Sequence, residues 1–219
     1  MATIFITGGN RGIGLALAEA YAAAGNRVIV SKRGAGDVAG FETIAMDVAD
    51  AESVKAAGER LAHEAIDVLI NNAGVIGPDR QSTTDMDFDG FLETLAINTV
   101  APLRVAQAFL PALRRSQAAK LATITSQMGS LSYAKSDHVA YRASKAAANK
   151  VMQCLATDLA AESIAVAALH PGWVRTDMGG PGADIAVEES ASGVKAVMDR
   201  LTLETTGRFW AWDGRELPW

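Results

Sequence analysis

The stretch Thr7-Gly8-Gly9-Asn10-Arg11-Gly12-Ile13-Gly14 follows an apolar run at residues 2 to 7 and opens a helical pattern at 13 to 24. Glycine lets the backbone turn tightly and approach another group closely. A helix that begins inside such a turn presents free N–H groups and the positive end of its dipole, which together suit a phosphate. A glycine cluster by itself also serves any tight turn. Its setting decides the matter, because a strand before it and a helix and second strand after it make the βαβ unit of a dinucleotide site. Gly8, Asn10, Arg11, Gly12, Ile13 and Gly14 are candidate cofactor contacts.

Working outward, hydrophobic period and chain breakers predict strands near 2 to 7, 27 to 31, 43 to 46, 67 to 71, 120 to 126, 164 to 169 and 207 to 211. Helical patterns fall at 13 to 24, 50 to 63, 91 to 117, 138 to 162 and 187 to 203. In the first of these, Ile13, Leu17, Ala20, Tyr21 and Ala24 recur at helical spacing before Gly25. Alternating strands and helices with short connections imply an α/β fold, a Rossmann-type doubly wound parallel sheet of about seven strands with helices on both faces. Runs such as Asp67-Val68-Leu69-Ile70 and Ala165-Val166-Ala167-Ala168-Leu169 are apolar throughout, as strands buried on both faces should be. No repeat or linker divides the pattern, so residues 1–219 are expected to form one domain.

Composition narrows the function. The hydrophobic share is 49% and the charged share 21%, which provides for a core. The 20 basic and 25 acidic residues leave a net charge of −5 with no basic stripe, so nucleic acid is not an expected partner. Met1-Ala2-Thr3 leads directly into the first strand without a basic leader, and Asn98, Pro102 and Arg104 break the longest apolar stretches; a cytoplasmic chain without membrane insertion is expected. Cys154 is the only cysteine and reads as buried helix filler. His63, His138 and His170 are too scattered to suggest a metal site, and none is expected.

The end of the second strand should read the adenosine ribose, where an acidic residue normally accepts the 2′-hydroxyl. Here Ser31-Lys32-Arg33 occupies that place. Two cations, with Arg11 as a third, suit a 2′-phosphate, so NADP(H) is favoured and NAD(H) stays open. In the alternative reading, Lys32 and Arg33 are solvated and Asp37 reaches the ribose.

Tyr141-Arg142-Ala143-Ser144-Lys145 sets a phenol and an ammonium one turn apart on one helix face. That helix follows a strand ending in Ile124-Thr125-Ser126. Carbonyl reduction needs a proton donor, and the reverse reaction needs a base, for which a free tyrosine with a pKa near ~10 is poor. Lys145, with a positive nicotinamide ring, is expected to bring the phenol toward working pH, and Ser126 to bond the substrate oxygen.

With Asn71-Asn72-Ala73-Gly74 after the fourth strand, Asn98, and Pro171-Gly172-Trp173-Val174-Arg175-Thr176-Asp177 added, the chain resembles the short-chain dehydrogenase/reductase family over essentially its whole length. The resemblance implies that Tyr141 is the acid/base, Lys145 its ribose-binding and pKa-lowering partner, Ser126 the orienting hydroxyl, and Asn98 the holder of a relay water. It implies that Asp47 and Val48 meet the adenine, that Asn72, Ala73 and Gly74 wall the nicotinamide ribose, and that Pro171, Gly172, Val174 and Thr176 line the carboxamide end. Asp47 by itself could equally cap the helix at 50 to 63. Ser126 precedes Tyr141 by fifteen residues, slightly more than the family's usual gap, so Ser130 and Ser132 compete with it.

Gly179-Gly180-Pro181, Glu188-Glu189-Ser190-Ala191 and the ending Gly207 to Trp219 are similar to the sniffer-type and C-factor-like carbonyl reductase subgroup. About ten residues separate Thr176 from the next helix, which predicts a shallow or mobile pocket for varied small carbonyl or alcohol substrates, with Gln127, Met128, His138 and Trp173 as candidate walls. Trp210, Trp212 and Trp219 read as core or interface filler. The family pairs through its two long helices, which implies a homodimer or homotetramer, with Ala143, Ala146, Ala147 and Ala148 permitting close approach. A dinucleotide-sensing signalling protein on the same fold is the second function class, and the set Asn98, Ser126, Tyr141 and Lys145 favours the enzyme.

Overall fold

A computed structural model describes all 219 residues. Its strands are β1 (Thr3–Ile6), β2 (Arg27–Lys32), β3 (Glu42–Ala45), β4 (Val68–Asn71), β5 (Lys120–Ile124), β6 (Ala165–His170) and β7 (Arg208–Ala211). They form one parallel sheet in the order β3-β2-β1-β4-β5-β6-β7. Successive side chains of a strand point to opposite faces, so β1 sends Ile4 and Ile6 to one core and Phe5 to the other.

On the Ile4 face lie α1 (Gly12–Ala23) and α6 (Val187–Arg200), which contribute Leu17, Tyr21, Val194 and Met198. The Phe5 face is covered by α2 (Ala51–Leu61), α4 (Ala101–Leu113) and α5 (Val139–Leu159). There Phe5 packs on Phe109 with ring centroids 4.4 Å apart, an aromatic pair worth about 0.5–1.5 kcal/mol beyond its area. All six residues of β6 and all four of β4 are buried, as their unbroken apolar runs require. The doubly wound sheet of the sequence reading is thus present.

Between β2 and β3, residues 33–41 cross as a loop with Gly34, Gly36 and Gly40 at positive φ. Three details depart from the sequence reading. The helix expected over 91 to 117 is α3 (Phe88–Leu95), a π-helical turn at Ala96–Val100, and then α4. No glycine or proline within Ala96–Val100 marks this widened turn in the sequence. The fifth strand stops at Ile124, which leaves Thr125 and Ser126 beyond the sheet. Cys154 is exposed on the outer side of α5, whose buried stripe runs through Tyr141, Lys145, Ala148, Met152 and Ala156. No helix is long and apolar enough to cross a membrane.

His170 ends β6 in a buried position, and its Nδ1 has no partner. Burial lowers its pKa from 6.5 to about 4, against the smaller pull of Asp213 and with a small push from Arg215. The unfolded chain therefore takes up this proton first as pH falls, and stability present above pH 6.5 is lost toward pH 4. Replacing His170 by Asn should flatten the fall in melting temperature across that interval. An unchanged slope in a calorimetric pH series would assign the loss elsewhere.

Candidate active site

Strand order reverses direction between β1 and β4, and the loops leaving these two strands diverge to open a crevice at the sheet's carboxyl edge. Thr7 and Asn72 close its floor. Thr7 Oγ1 accepts from the amides of Asn72 and Ala73, both at 3.0 Å. Asn72 Nδ2 donates back to the carbonyls of Thr7 at 3.0 Å and Gly8 at 3.1 Å. Every partner in this clasp is a polar group that would otherwise be lost to burial.

The glycine turn sits above the clasp. Gly8 and Gly12 hold φ of +65° and +53°, the left-handed region that glycine enters without penalty. A Cβ at Gly14 would press on the Gly8 carbonyl and lie 2.5 Å from Asn72 Nδ2, so only glycine lets α1 start this close to the clasp. Arg11 at the N-cap is extended and its side chain caps nothing. The first amides of α1 are therefore left without a side-chain acceptor, as an anionic ligand requires. These residues fit a dinucleotide pyrophosphate.

Lys32 and Arg33 stand at the end of β2, joined to the glycine turn by the Gly9 amide donating to the Ser31 carbonyl at 3.0 Å. Arg11 is engaged differently from the sequence reading, in an exposed ion pair with Asp177 at 2.6 Å. Asp47, beyond β3, does not cap α2: Asp50 does so, accepting from the Glu52 amide at 2.9 Å. The Asp47 carboxylate accepts from the Ala49 amide at 3.0 Å, and Val48 beside it is buried.

Tyr141 and Lys145 lie on the inward face of α5, and Ser126 caps the 3-10 turn Gln127–Gly129 through the Met128 amide at 3.1 Å. A Cβ at Gly129 would come 2.6 Å from the Lys145 backbone, which is how that turn rests directly on α5. Lys145 Nζ donates to the Ile124 carbonyl at 2.8 Å and lies 5.6 Å from the centre of the Tyr141 ring. Burial pushes the Tyr141 phenol up to about 12, and the Ser126 hydroxyl pulls the other way. Burial likewise pushes the Lys145 ammonium down to about 8. Among the protein's own residues, burial is the largest influence on each of these two groups.

Asn98 lies in the π-helical turn and faces the loop after β4. Its Oδ1 accepts from the Val75 amide at 2.9 Å, while Nδ2 donates to the Val75 carbonyl at 2.8 Å and to Ser144 Oγ at 3.0 Å. A Cβ at Gly74 would stand 3.1 Å from Asn98 Oδ1 and 3.5 Å from Lys145 Nζ, so both groups border the space over Gly74. Of the competing serines, Ser130 accepts from the Ser132 amide at 3.2 Å, and Ser132 donates to the Trp219 carbonyl at 3.3 Å.

A family model described as short chain dehydrogenase matches residues 2–184. The chain belongs to the short-chain dehydrogenase/reductase family. Among curated proteins it is 46% identical over 156 residues to the C-signal of Myxococcus xanthus, an alignment covering 70% of this chain and 93% of that one. Among solved structures it matches NADPH-bound carbonyl reductase from chicken fatty liver with a TM-score of 0.92 at 32% identity, covering 100% of this chain and 99% of the other. It matches the carbonyl reductase Sniffer of D. melanogaster with a TM-score of 0.93 at 29% identity, covering 100% of both. The likeness to the sniffer-type and C-factor-like members drawn from the sequence is therefore present in the relatives and in the fold.

In this family member the loop after β6 closes the far side of the crevice. The Pro171 carbonyl accepts from Ser190 Oγ at 2.6 Å, and Gly172, at φ +87°, leaves room for Ile185 and Trp212. A Cβ at Gly12 would lie 3.4 Å from the Thr176 methyl, so the two loops meet over the cradle. Residues 173–185 are hydrogen-bonded to themselves: Trp173 Nε1 donates to the Gly179 carbonyl at 2.9 Å, and Arg175 to the Ala183 carbonyl at 3.1 Å. Val174 is buried and faces inward, whereas Trp173 is exposed, as are Gln127 and His138. Met128 is half-buried.

Sequence reading missed Thr7 as a clasp and Ser144 as a link. Ser144 Oγ donates to the Tyr141 carbonyl at 2.8 Å and receives Asn98. Its position three residues after Tyr141, facing inward, was the available signal. Gly14→Ala should weaken NADPH binding at least ~10-fold, since added bulk displaces either the cradle or the clasp. Calorimetric titration checks this, and unchanged affinity would remove the close-packing argument.

Proposed function

We propose that this chain is an NADPH-dependent carbonyl reductase, working over residues 1–219 as one dinucleotide-binding and catalytic domain. The reading is carried by one observation: a neutral, buried phenol, a serine hydroxyl and a buried ammonium share one sheet edge with the phosphate cradle. NADPH, when bound, supplies the hydride that reduces the carbonyl carbon.

Tyr141 holds its proton until it is given to the carbonyl oxygen, on which negative charge develops. Ser126 donates a hydrogen bond to the same oxygen, stabilising charge as it forms. Lys145 lies beneath, and its positive charge favours the tyrosinate once the proton has left. Asn98 has spent both amide hydrogens and one lone pair of Oδ1 on Val75 and Ser144. Its remaining lone pair and Lys145 Nζ border the space over Gly74, which supports a relay water there.

Preference for the 2′-phosphate rests on Lys32 and Arg33, with Arg11 available because an exposed ion pair to Asp177 is worth little. Asn10, Ile13, Asp47, Val48, Ala73 and Thr176 complete the proposed cofactor contacts. The substrate is a small-molecule carbonyl compound. Pairing of two or four copies through α4 and α5 also belongs to this proposal. Ala143, Ala146 and Ala147 are only half-buried in one chain, as such contact needs, but Ala148 is packed in the chain's own core.

Tyr141→Phe should lower NADPH-consuming turnover of a quinone, aldehyde and ketone panel by at least ~10²-fold while leaving NADPH binding intact. Binding without turnover in the parent chain would favour a dinucleotide sensor. Because the phenol stays protonated to about 12 and the ammonium only to about 8, the reduction rate should hold through neutral pH and fall as pH rises through about 8. Persistence of full activity well above that point would show that Lys145 acts without its charge. Sedimentation of the purified chain should give a dimer or tetramer, and a monomer at all concentrations would refute the pairing.

A further inference from the structure

The helix that carries Tyr141 begins without a cap of its own. His138 occupies the N-cap in the left-handed conformation, φ 52° and ψ 50°, and its side chain makes no capping bond. The first intrahelical bond is the Arg142 amide to the His138 carbonyl at 2.8 Å. The amides of Val139, Ala140 and Tyr141 precede it and have no acceptor within the helix. Ordinarily Ser, Thr, Asp or Asn at the N-cap would serve one of them.

Gln81 serves two of them from elsewhere in the chain. Its backbone carbonyl accepts from the Val139 amide at 2.9 Å. Its side-chain Oε1 accepts from the Tyr141 amide at 3.1 Å, in a buried bond spanning 60 residues. The other end of the same amide, Nε2, donates to the Ile76 carbonyl at 3.1 Å. Ile76 lies two residues past Gly74, on the loop whose Val75 is held by Asn98. Gly77, at φ +93°, makes the room: a Cβ there would stand 3.2 Å from Gln81 Oε1 and 3.0 Å from Thr94 Oγ1. Gln81 is only 8% exposed, so neither end of its amide has water as a ready substitute.

We infer that Gln81 is a positioning residue for the reaction: it caps the catalytic helix in trans and, through Ile76, ties Tyr141 to the loop that walls the nicotinamide ribose. This rests on Tyr141 being the proton donor. Gln81 is too occupied to reach substrate itself. Its effect is to fix the height and rotation of the first turn of α5, where a small error moves the phenol away from the carbonyl oxygen.

Two variants separate the two ends of the amide. Gln81→Glu keeps an oxygen for the Tyr141 amide and loses the donor to Ile76; Gln81→Leu loses both. Hydrogen exchange at the Tyr141 amide of the free protein is the first readout, because that amide has no helical acceptor. Exchange should quicken at least tenfold in Gln81→Leu and stay within about threefold of the parent in Gln81→Glu. The second readout is kinetic: Gln81→Leu should lower kcat about tenfold with NADPH affinity within twofold, and Gln81→Glu should recover part of that loss. A side chain that only stabilised the loop would lower the melting temperature and leave both the Tyr141 amide and kcat as they were. That outcome, or equal exchange in both variants, overturns the inference. Should Tyr141→Phe retain full turnover, the assignment of the proton donor fails instead, whatever Gln81 does.

Discussion

The hydrogen-bonded clasp between Thr7 and Asn72 is the contact on which the rest of the molecule depends. The reversal of strand order between β1 and β4 would leave a gap at the sheet's edge, and four hydrogen bonds between buried or half-buried groups draw its sides together. Gly14 then brings the start of α1 down onto the clasp, which aims the helix's free amides across the gap. The same β4 loop runs on through Gly74 to Val75, where Asn98 takes hold of it. One clasp thus fixes both the glycine turn that opens α1 and the start of the β4 loop, the two segments proposed to hold the dinucleotide.

Burial organises the chemistry at that end. A phenol and an ammonium taken out of water each shift toward the neutral form, the first upward and the second downward. For the proposed carbonyl reduction this is a useful ground state, since the proton to be delivered is held firmly. The charge proposed to steady the tyrosinate resides on Lys145, which the Ile124 carbonyl anchors at the end of β5. Two elements distant in sequence, the end of a strand and the second turn of a helix, are therefore coupled through one ammonium.

The sheet, its parallel sense and the glycine cradle were readable because buried strands and helix starts leave local marks: unbroken apolar runs, and glycines where a Cβ would collide. That Tyr141, Lys145 and Ser126 lie at one edge of the sheet was readable from spacing together with their place after a strand. The split of the helix at Asn98 was not, because no glycine or proline within Ala96–Val100 marks it. Spacing places a charge near Tyr141 but does not give the depth of burial, which pushes the phenol up. Asp47 as a possible cap lost to Asp50, a choice between two nearby carboxylates that only backbone geometry decides. Gln81 left no local signal at all, since its meaning arises from a contact made 60 residues away.

In the proposed complex the crevice over the clasp holds a dinucleotide with its nicotinamide end turned toward Tyr141. A crystal structure of the chain with NADP⁺ should show the pyrophosphate on the first amides of α1, the 2′-phosphate beside Lys32 and Arg33, and the nicotinamide between the Asn72–Gly74 wall and the Tyr141 phenol. A cofactor bound in the reverse direction, or with its nicotinamide remote from Tyr141, would contradict that arrangement.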